Sequence, residues 1–245
     1  MKSLVVIPAR LGSTRLPRKP LADIDGKPMV VRVMEAAQSA NIGPVIVATD
    51  SDEVAQPVKA HGGEVVMTDA ALASGSDRVY AAACAYDPLG AYEVIINLQG
   101  DLPTLEPHVI AAAIKPLNDP RFAIGTLVRL NDDQEELQRP SVVKAVLGGD
   151  EQDALRPALY FTRSLAPSGE GPHHQHMGVY AYHREALKTY VNLAPTTLEL
   201  REKLEQLRAL EAGMRIGAAV VSCTPIEVDT AEDLARAQGF FKTKS

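Results

Sequence analysis

The chain has 245 residues, a formal net charge of −6, and 46% hydrophobic against 23% charged residues, with a mean hydropathy of −0.06 and a pI near 5.5. These are values of a soluble globular chain long enough to bury one sizeable α/β core. They exclude the broad basic footprint of a nucleic-acid binder, and no apolar run approaches the roughly 20 residues of a membrane span.

The opening "MKSLVVIPAR" is basic and then apolar, but its apolar part is too short for a secretory signal and reads as a buried first strand. A helix follows in "PMVVRVMEAAQSA", opened by Pro28 and carrying Val30, Val33 and Met34 on one face. "GPVIVATD" predicts a strand, "SDEVAQPVKAHG" a short helix disturbed by Pro57, and "EVVMT" a strand. "SDRVYAAACAY" predicts a helix, "YEVIINLQGD" a strand, "EPHVIAAAIKPL" a helix and "FAIGTLVRL" a strand. Apolar strands alternating with amphipathic helices predict a Rossmann-like, mostly parallel central sheet with helices on both faces.

Beyond about residue 130 the strands "VVKAVL", "RPALYFTR" and "MGVYAYH" suggest a smaller, mixed β/α lobe. "PTTLELREKLEQLRALEAG" predicts one long helix with Leu200, Leu204, Leu207 and Leu210 on its apolar face and a stop at Gly213. "RIGAAVVSC" returns as a strand, and "TAEDLARAQGFF" closes as a helix capped by Thr230. No Gly/Ser-rich linker divides the chain. The expected organisation is a single α/β domain: a nucleotide-binding core over 1–130, a sugar-binding and dimerisation lobe over 131–229, and a C-terminal helix over 230–245. Cys84 and Cys223 lie far apart in apolar surroundings without metal spacing, which predicts buried free thiols and a cytoplasmic protein.

In an open α/β sheet, ligands bind beyond the carboxyl ends of the strands. The first such end, "IPARLGSTRLPRKP", packs Arg10, Arg15, Arg18 and Lys19 among Gly12, Ser13 and prolines in an otherwise acidic chain. Small residues let backbone N–H groups approach phosphate, and Arg and Lys add charge-assisted hydrogen bonds. The loop lacks both GxxxxGK[ST] and GxGxxG, which weakens ATPase and dehydrogenase readings. "INLQGD" and "IEVDTAED" each end a strand with an acid, Asp101 and Asp229. Paired in this way they suit a divalent cation on a triphosphate, although Asp229 alone would read as a favourable helix-start acid. "ASGSDR" opens a helix at which Ser74 and Asp77 form a capping pair or the free N–H groups meet a ligand. The histidines of "PHHQHMGVYAYH" lack zinc spacing and suit hydrogen bonds to a carboxylate or hydroxyl ligand. In "KLEQLR", Glu205 and Gln206 either face water or reach toward a polyhydroxylated substrate.

These blocks, with "VATDSDEV", "NLQGD", "ALYFTR", "HMGVYAY" and "VDTAEDLARA", resemble over residues 3 to 240 the sugar-acid cytidylyltransferases, and among them the 3-deoxy-manno-octulosonate (Kdo) branch. The resemblance implies a nucleotide-diphospho-sugar transferase fold in which CTP and Kdo give CMP-Kdo and pyrophosphate with Mg²⁺, for lipopolysaccharide synthesis. It implies a cytoplasmic homodimer without nucleic-acid or membrane partners. By motif, Arg10, Lys19 and Asp101 carry catalysis. Ala9, Arg10, Ser13, Arg15, Lys19, Ser74, Gly75, Arg78 and Gln99 hold the nucleotide. Asp101 and Asp229 ligate the metal, and Arg163, His176, Tyr180, Glu205 and Gln206 face the sugar acid. Two positions depart from the pattern: Ala73 stands where many members have His before "SG", and Leu102 where they have Glu in "GDEP". An enzyme for 8-amino-Kdo or sialic acid, or a nucleotide-binding protein without catalysis, remains as an alternative reading.

Overall fold

The computed structural model describes residues 1–12 and 16–243. In chain order the elements are β1 (Ser3–Ala9), β2 (Asp23–Ile24), β3 (Lys27–Pro28), α1 (Met29–Ser39), β4 (Val45–Thr49), α2 (Asp52–Ala60), β5 (Glu64–Met67), α3 (Gly75–Tyr86), β6 (Val94–Leu98), α4 (Pro107–Ala112) and β7 (Ile124–Leu130). There follow α5 (Gln134–Leu137), β8 (Lys144–Leu147), β9 (Leu155–Thr162), β10 (His174–His183), α6 (Arg184–Val191), α7 (Thr197–Glu202), α8 (Leu207–Glu211), β11 (Ile216–Val220) and α9 (Ala231–Lys242). The chain groups into two compact units, Met1–Ala111 with Pro225–Ser245, and Ala112–Thr224.

In the first unit the strands run β5-β4-β1-β6, all parallel. β4 and β6 are buried along their whole length, as strands covered on both faces must be. α1 and α2 pack on each other and on the β1–β4–β5 side, while α3 follows β5 and leads back across the sheet to β6. Right-handed crossovers place α3 on the opposite face, because the chain has reversed its direction through the sheet. The reversal makes the gap between β1 and β6 the switch point, and their carboxyl ends open there. Pro225–Ser245 joins this unit through an apolar cluster of Ile24, Met29, Val228 and Ala237, with Leu16, Ile226, Leu234 and Phe241 against it.

The second unit is mixed. β10 runs antiparallel to β7, β7 parallel to β11, and β11 antiparallel to β9, which is antiparallel to β8. β8 also pairs with β10 through His174 and Gln175, so the five strands turn back on themselves. A register shift in β10 between Met177 and Tyr180 bends the strand, as bulges do.

Several expectations change. The long helix expected over 195–213 is two short ones, because Lys203 sits in the left-handed region (φ 56). Leu200 is consequently exposed (66%) while Leu204 and Leu207 are buried. The helix expected over 106–117 splits into α4 and a 3-10 turn, Lys115–Asn118. α2 continues through Pro57, although that proline removes the N–H that would have reached the Glu53 carbonyl. The cysteines are free but half-buried rather than buried. The hairpin β2–β3 carries Asp25 and Gly26 at φ 53 and 78, the left-handed pair that a tight Asp-Gly hairpin turn needs.

Candidate functional site

The ends of β1 and β6 open into a cleft of about 410 Å³, a volume suited to a nucleotide-sized ligand. Pro8, Ala9, Arg10 and Gly12 line it from β1, and Gln99, Gly100 and Asp101 from β6. Leu72, Ser74, Gly75 and Arg78 add the start of α3, and Lys19, Pro20, Met29 and Asp229 close it. The two strand ends approach closely at Gly100, where a Cβ would lie 3.3 Å from the Pro8 carbonyl oxygen. Ser13 and Arg15, expected beside the phosphates, lie outside the described residues.

At the start of α3 the capping pair is present. Ser74 Oγ accepts from the Asp77 N–H at 3.2 Å, and the Asp77 carboxylate accepts from the Ser74 N–H at 3.0 Å. The Ser74 side chain is therefore committed to its helix, and Gly75 offers the open surface, facing the Gln99 amide at 3.8 Å from a notional Cβ. Gln99 is itself oriented by donating to Asn97 Oδ1 at 2.7 Å. Arg78 is buried and does not project as a loose cation: it donates to Asp50 Oδ2 at 3.0 Å and to the Thr68 hydroxyl. Sequence reasoning passed over Asp50 and Thr68 as partners. Arg18 pairs with Glu53 at the surface, and Arg10 and Lys19 are the described loop cations on the cleft.

Lys19 starts the 3-10 turn Lys19–Leu21 and sends its ammonium between two carboxylates, 2.8 Å from Asp101 Oδ2 and 2.8 Å from Asp229 Oδ1. Burial alone would lower its pKa; Asp101 and Asp229 overcome that and hold it above the ordinary lysine value. The acids meet because two extended segments are stitched together. The Val228 N–H donates to the Asp101 carbonyl at 2.9 Å, and the Ile226 N–H to the Thr104 hydroxyl at 2.8 Å. Thr230 and Asp233 then cap α9 and fix where the extended run ends. In an extended segment, residues two apart share a face. Glu227 thus lies with Asp229, and ligand oxygens of Asp101, Glu227 and Asp229 fall within 4.8 Å of one another. The alternation in "IEVD" carried this signal, which the sequence reading used only for Asp229. Leu102, at the departure from the "GDEP" pattern, is buried in apolar contact with 4% exposure and supplies no acid.

The remaining expected residues lie in the second unit. His176 Nε2 is 3.0 Å from Thr126 Oγ1. The Thr126 hydroxyl has one proton, given to the Val179 carbonyl at 2.9 Å, so Nε2 carries the histidine proton and donates. Burial among aromatic neighbours depresses the His176 pKa to about 3. Phe161 meets its ring edge-on at 5.0 Å, and Tyr180 lies at 5.3 Å. Burial raises the Tyr180 hydroxyl above its ordinary value, with Tyr182 and Glu205 adding to the shift. Arg163 spends three guanidinium donors on backbone, bonding the carbonyls of Glu202 (2.7 Å), Pro140 (2.8 Å) and Lys203 (3.3 Å). Its two other N–H groups are the ones left for a ligand. Glu205 approaches Arg208 at 3.6 Å. Gln206 is 7% exposed, and its Nε2 is buried with no hydrogen-bond partner among the described residues.

A cytidylyltransferase family profile matches residues 4–216. The curated 3-deoxy-manno-octulosonate cytidylyltransferase of Rhodopseudomonas palustris strain BisB18 is 54% identical over 237 residues, covering 97% of this chain and 96% of its own length. The enzyme of that description from Brucella ovis is 53% identical over 243 residues, covering 98% of this chain and 96% of its own. Among solved structures, CMP:2-keto-3-deoxy-manno-octonic acid synthetase complexed with CTP matches with a TM-score of 0.90 at 36% identity, covering 100% of both chains.

Proposed function

The chain belongs to the cytidylyltransferase family, and on that premise we propose that it transfers CMP from CTP to Kdo, releasing pyrophosphate and activating the sugar acid for lipopolysaccharide synthesis. The observation that carries the reading is the Lys19–Asp101–Asp229 cluster at the β1/β6 switch point, inside a nucleotide-sized cleft. The hemiketal oxygen of Kdo forms a bond to the α-phosphorus of CTP as the bond to pyrophosphate breaks. Such transfers are driven by positioning and charge stabilisation rather than by a protein nucleophile.

Arg10 and Lys19 are assigned to the triphosphate, where they neutralise charge gathering on the leaving pyrophosphate. Gly75 and Gln99, with Ser74 and Arg78 behind them, are assigned to the cytidine end. The metal assignment is Mg²⁺ on Asp101 and Asp229. The donor set fits it: hard carboxylate oxygens converge on one point, and a protein cation already sits there. When bound, the ion supplies charge neutralisation of the phosphates and acidification of the attacking hydroxyl. In the second unit, the orphaned Gln206 amide, the neutral His176 and the protonated Tyr180 are assigned to the sugar acid. Arg163 has two N–H groups for its carboxylate. We assign the protein to the cytoplasm, which fits its two free thiols, and to a homodimer, which light scattering tests.

Pyrophosphate release measured with CTP, Mg²⁺ and each of Kdo, 8-amino-Kdo and sialic acid, against CTP alone, tests the reading. Release that depends on Kdo supports it. Release only with another sugar acid moves the acceptor, and no release with any of them overturns the activity.

A further inference from the structure

The Lys19 ammonium occupies the point on which the carboxylates converge. It is 2.8 Å from each of Asp101 and Asp229, and Glu227 brings a third carboxylate to the same place. A small divalent ion draws its oxygen ligands to about 2.1 Å. An ammonium contacting Asp101 Oδ2 and Asp229 Oδ1 and an ion ligated by the same two oxygens cannot share that volume. Lys19 also lines the nucleotide cleft, and its ammonium rides on a flexible four-carbon stem. Triphosphate oxygens in that cleft would accept the two N–H donors that leave the aspartates.

We propose that Lys19 is an internal stand-in for the divalent cation: its ammonium holds the Asp101–Asp229 pair, beside which Glu227 lies, in the nucleotide-free protein and passes to the triphosphate when the seat is taken. The inference deepens the function proposed above and rests on its metal assignment. Its consequence is a coupling. In the free protein Lys19 competes with the ion for Asp101 and Asp229, so the ion binds weakly. A triphosphate that accepts the ammonium removes the competitor, and by linkage the ion promotes nucleotide binding by the same factor. Glu227 acquires a role that the two-aspartate assignment lacks, as the third oxygen donor of the vacated seat. The buried Leu102 leaves that role to residues of the 225–229 segment.

The test is Mn²⁺ binding to the nucleotide-free protein, followed by the loss of the free-ion paramagnetic resonance signal and independent of turnover. Lys19→Met is expected to bind Mn²⁺ roughly tenfold more tightly than wild type, the scale of removing two partly buried charge contacts. Adding Glu227→Gln to that background is expected to give back about threefold or more. Lys19→Gln removes the charge but keeps a polar end, and serves if Lys19→Met does not reach a native melting transition. Equal or weaker Mn²⁺ binding in the folded Lys19 variants overturns the proposal, and an unchanged affinity in the Glu227→Gln double variant removes the third ligand. If wild type turns over CTP and Kdo while the Lys19 variants gain no Mn²⁺ affinity, only this inference fails. Absence of turnover in wild type is the separate failure of the assigned reaction.

Discussion

At Asp101 one carboxylate has a counter-charge in Lys19 and a fixed backbone, since its own carbonyl accepts the Val228 N–H at 2.9 Å. Asp101→Asn keeps the size and the fold but removes the charge that gathers cations at the switch point. Turnover is expected to fall by about two to three orders of magnitude, the scale of losing one transition-state electrostatic partner. CTP affinity by calorimetry should change far less, and pyrophosphate release near the wild-type rate would sink the role. His176 gives a prediction about acid stability. Its pKa is depressed to about 3 by burial, against an ordinary value near 6.5. Below about pH 6.5 the unfolded chain binds a proton that the folded chain refuses until about pH 3, so stability rises with pH across that window and is lost as acid is added. The slope is at most about 1.4 kcal/mol per pH unit, less where water reaches the partly open ring. Urea unfolding at about pH 7 and about pH 5 should show wild type losing more stability than His176→Gln; parallel losses would remove His176 as the cause. Asp101, Asp229 and Lys19 were legible because each follows an apolar run or a basic loop. Glu227 was hidden by its exposure and by the stitching of two segments 122 residues apart at Thr104 and Ile226.

Glu199 works at the scale of an element. It closes the capping box of α7, accepting the Thr196 N–H at 3.2 Å, and it pairs with Arg208 of α8 at 2.9 Å through Nε. Arg208 also lies 5.5 Å over the Tyr190 ring. Burial would lower the Arg208 pKa, and Glu199 outweighs it. Glu199→Gln retains a capping oxygen but leaves a buried guanidinium facing Glu205 alone at 3.6 Å. A loss of about 3 kcal/mol in urea unfolding is expected, the scale of breaking a buried ion pair from one side; a loss below about 1 kcal/mol would show the pair to be dispensable. The same region marks where sequence pattern fails. The leucine stripe from Leu200 to Leu210 has helical spacing, yet the chain breaks at Lys203 because the Arg163 guanidinium takes the carbonyls of Glu202 and Lys203. That contact comes from 39 residues away and leaves no local signal. The alternation of strands and helices through β6 was legible, by contrast, because each element there buries a continuous or periodic apolar face.

Over the whole molecule, the residues assigned to the two substrates separate: those for CTP and the metal lie in the first unit, those for the sugar acid in the second. Gln206 makes this separation measurable. Its buried Nε2 has no partner, and a buried donor left unsatisfied costs about 1–3 kcal/mol. A hydroxyl or carboxylate of the sugar acid would satisfy that donor. Gln206→Met has similar length and no donor to desolvate. If Gln206 serves the sugar acid, the substitution should stabilise the free protein by about 1 kcal/mol in urea unfolding. It should also raise the KM for Kdo by roughly tenfold, the equivalent of about 1.4 kcal/mol of lost binding, while the KM for CTP stays at the wild-type value because no nucleotide-assigned residue is touched. Destabilisation with both KM values unchanged would return Gln206 to a packing role. A rise in the KM for CTP alone would mean that the division of substrates between the units is misassigned.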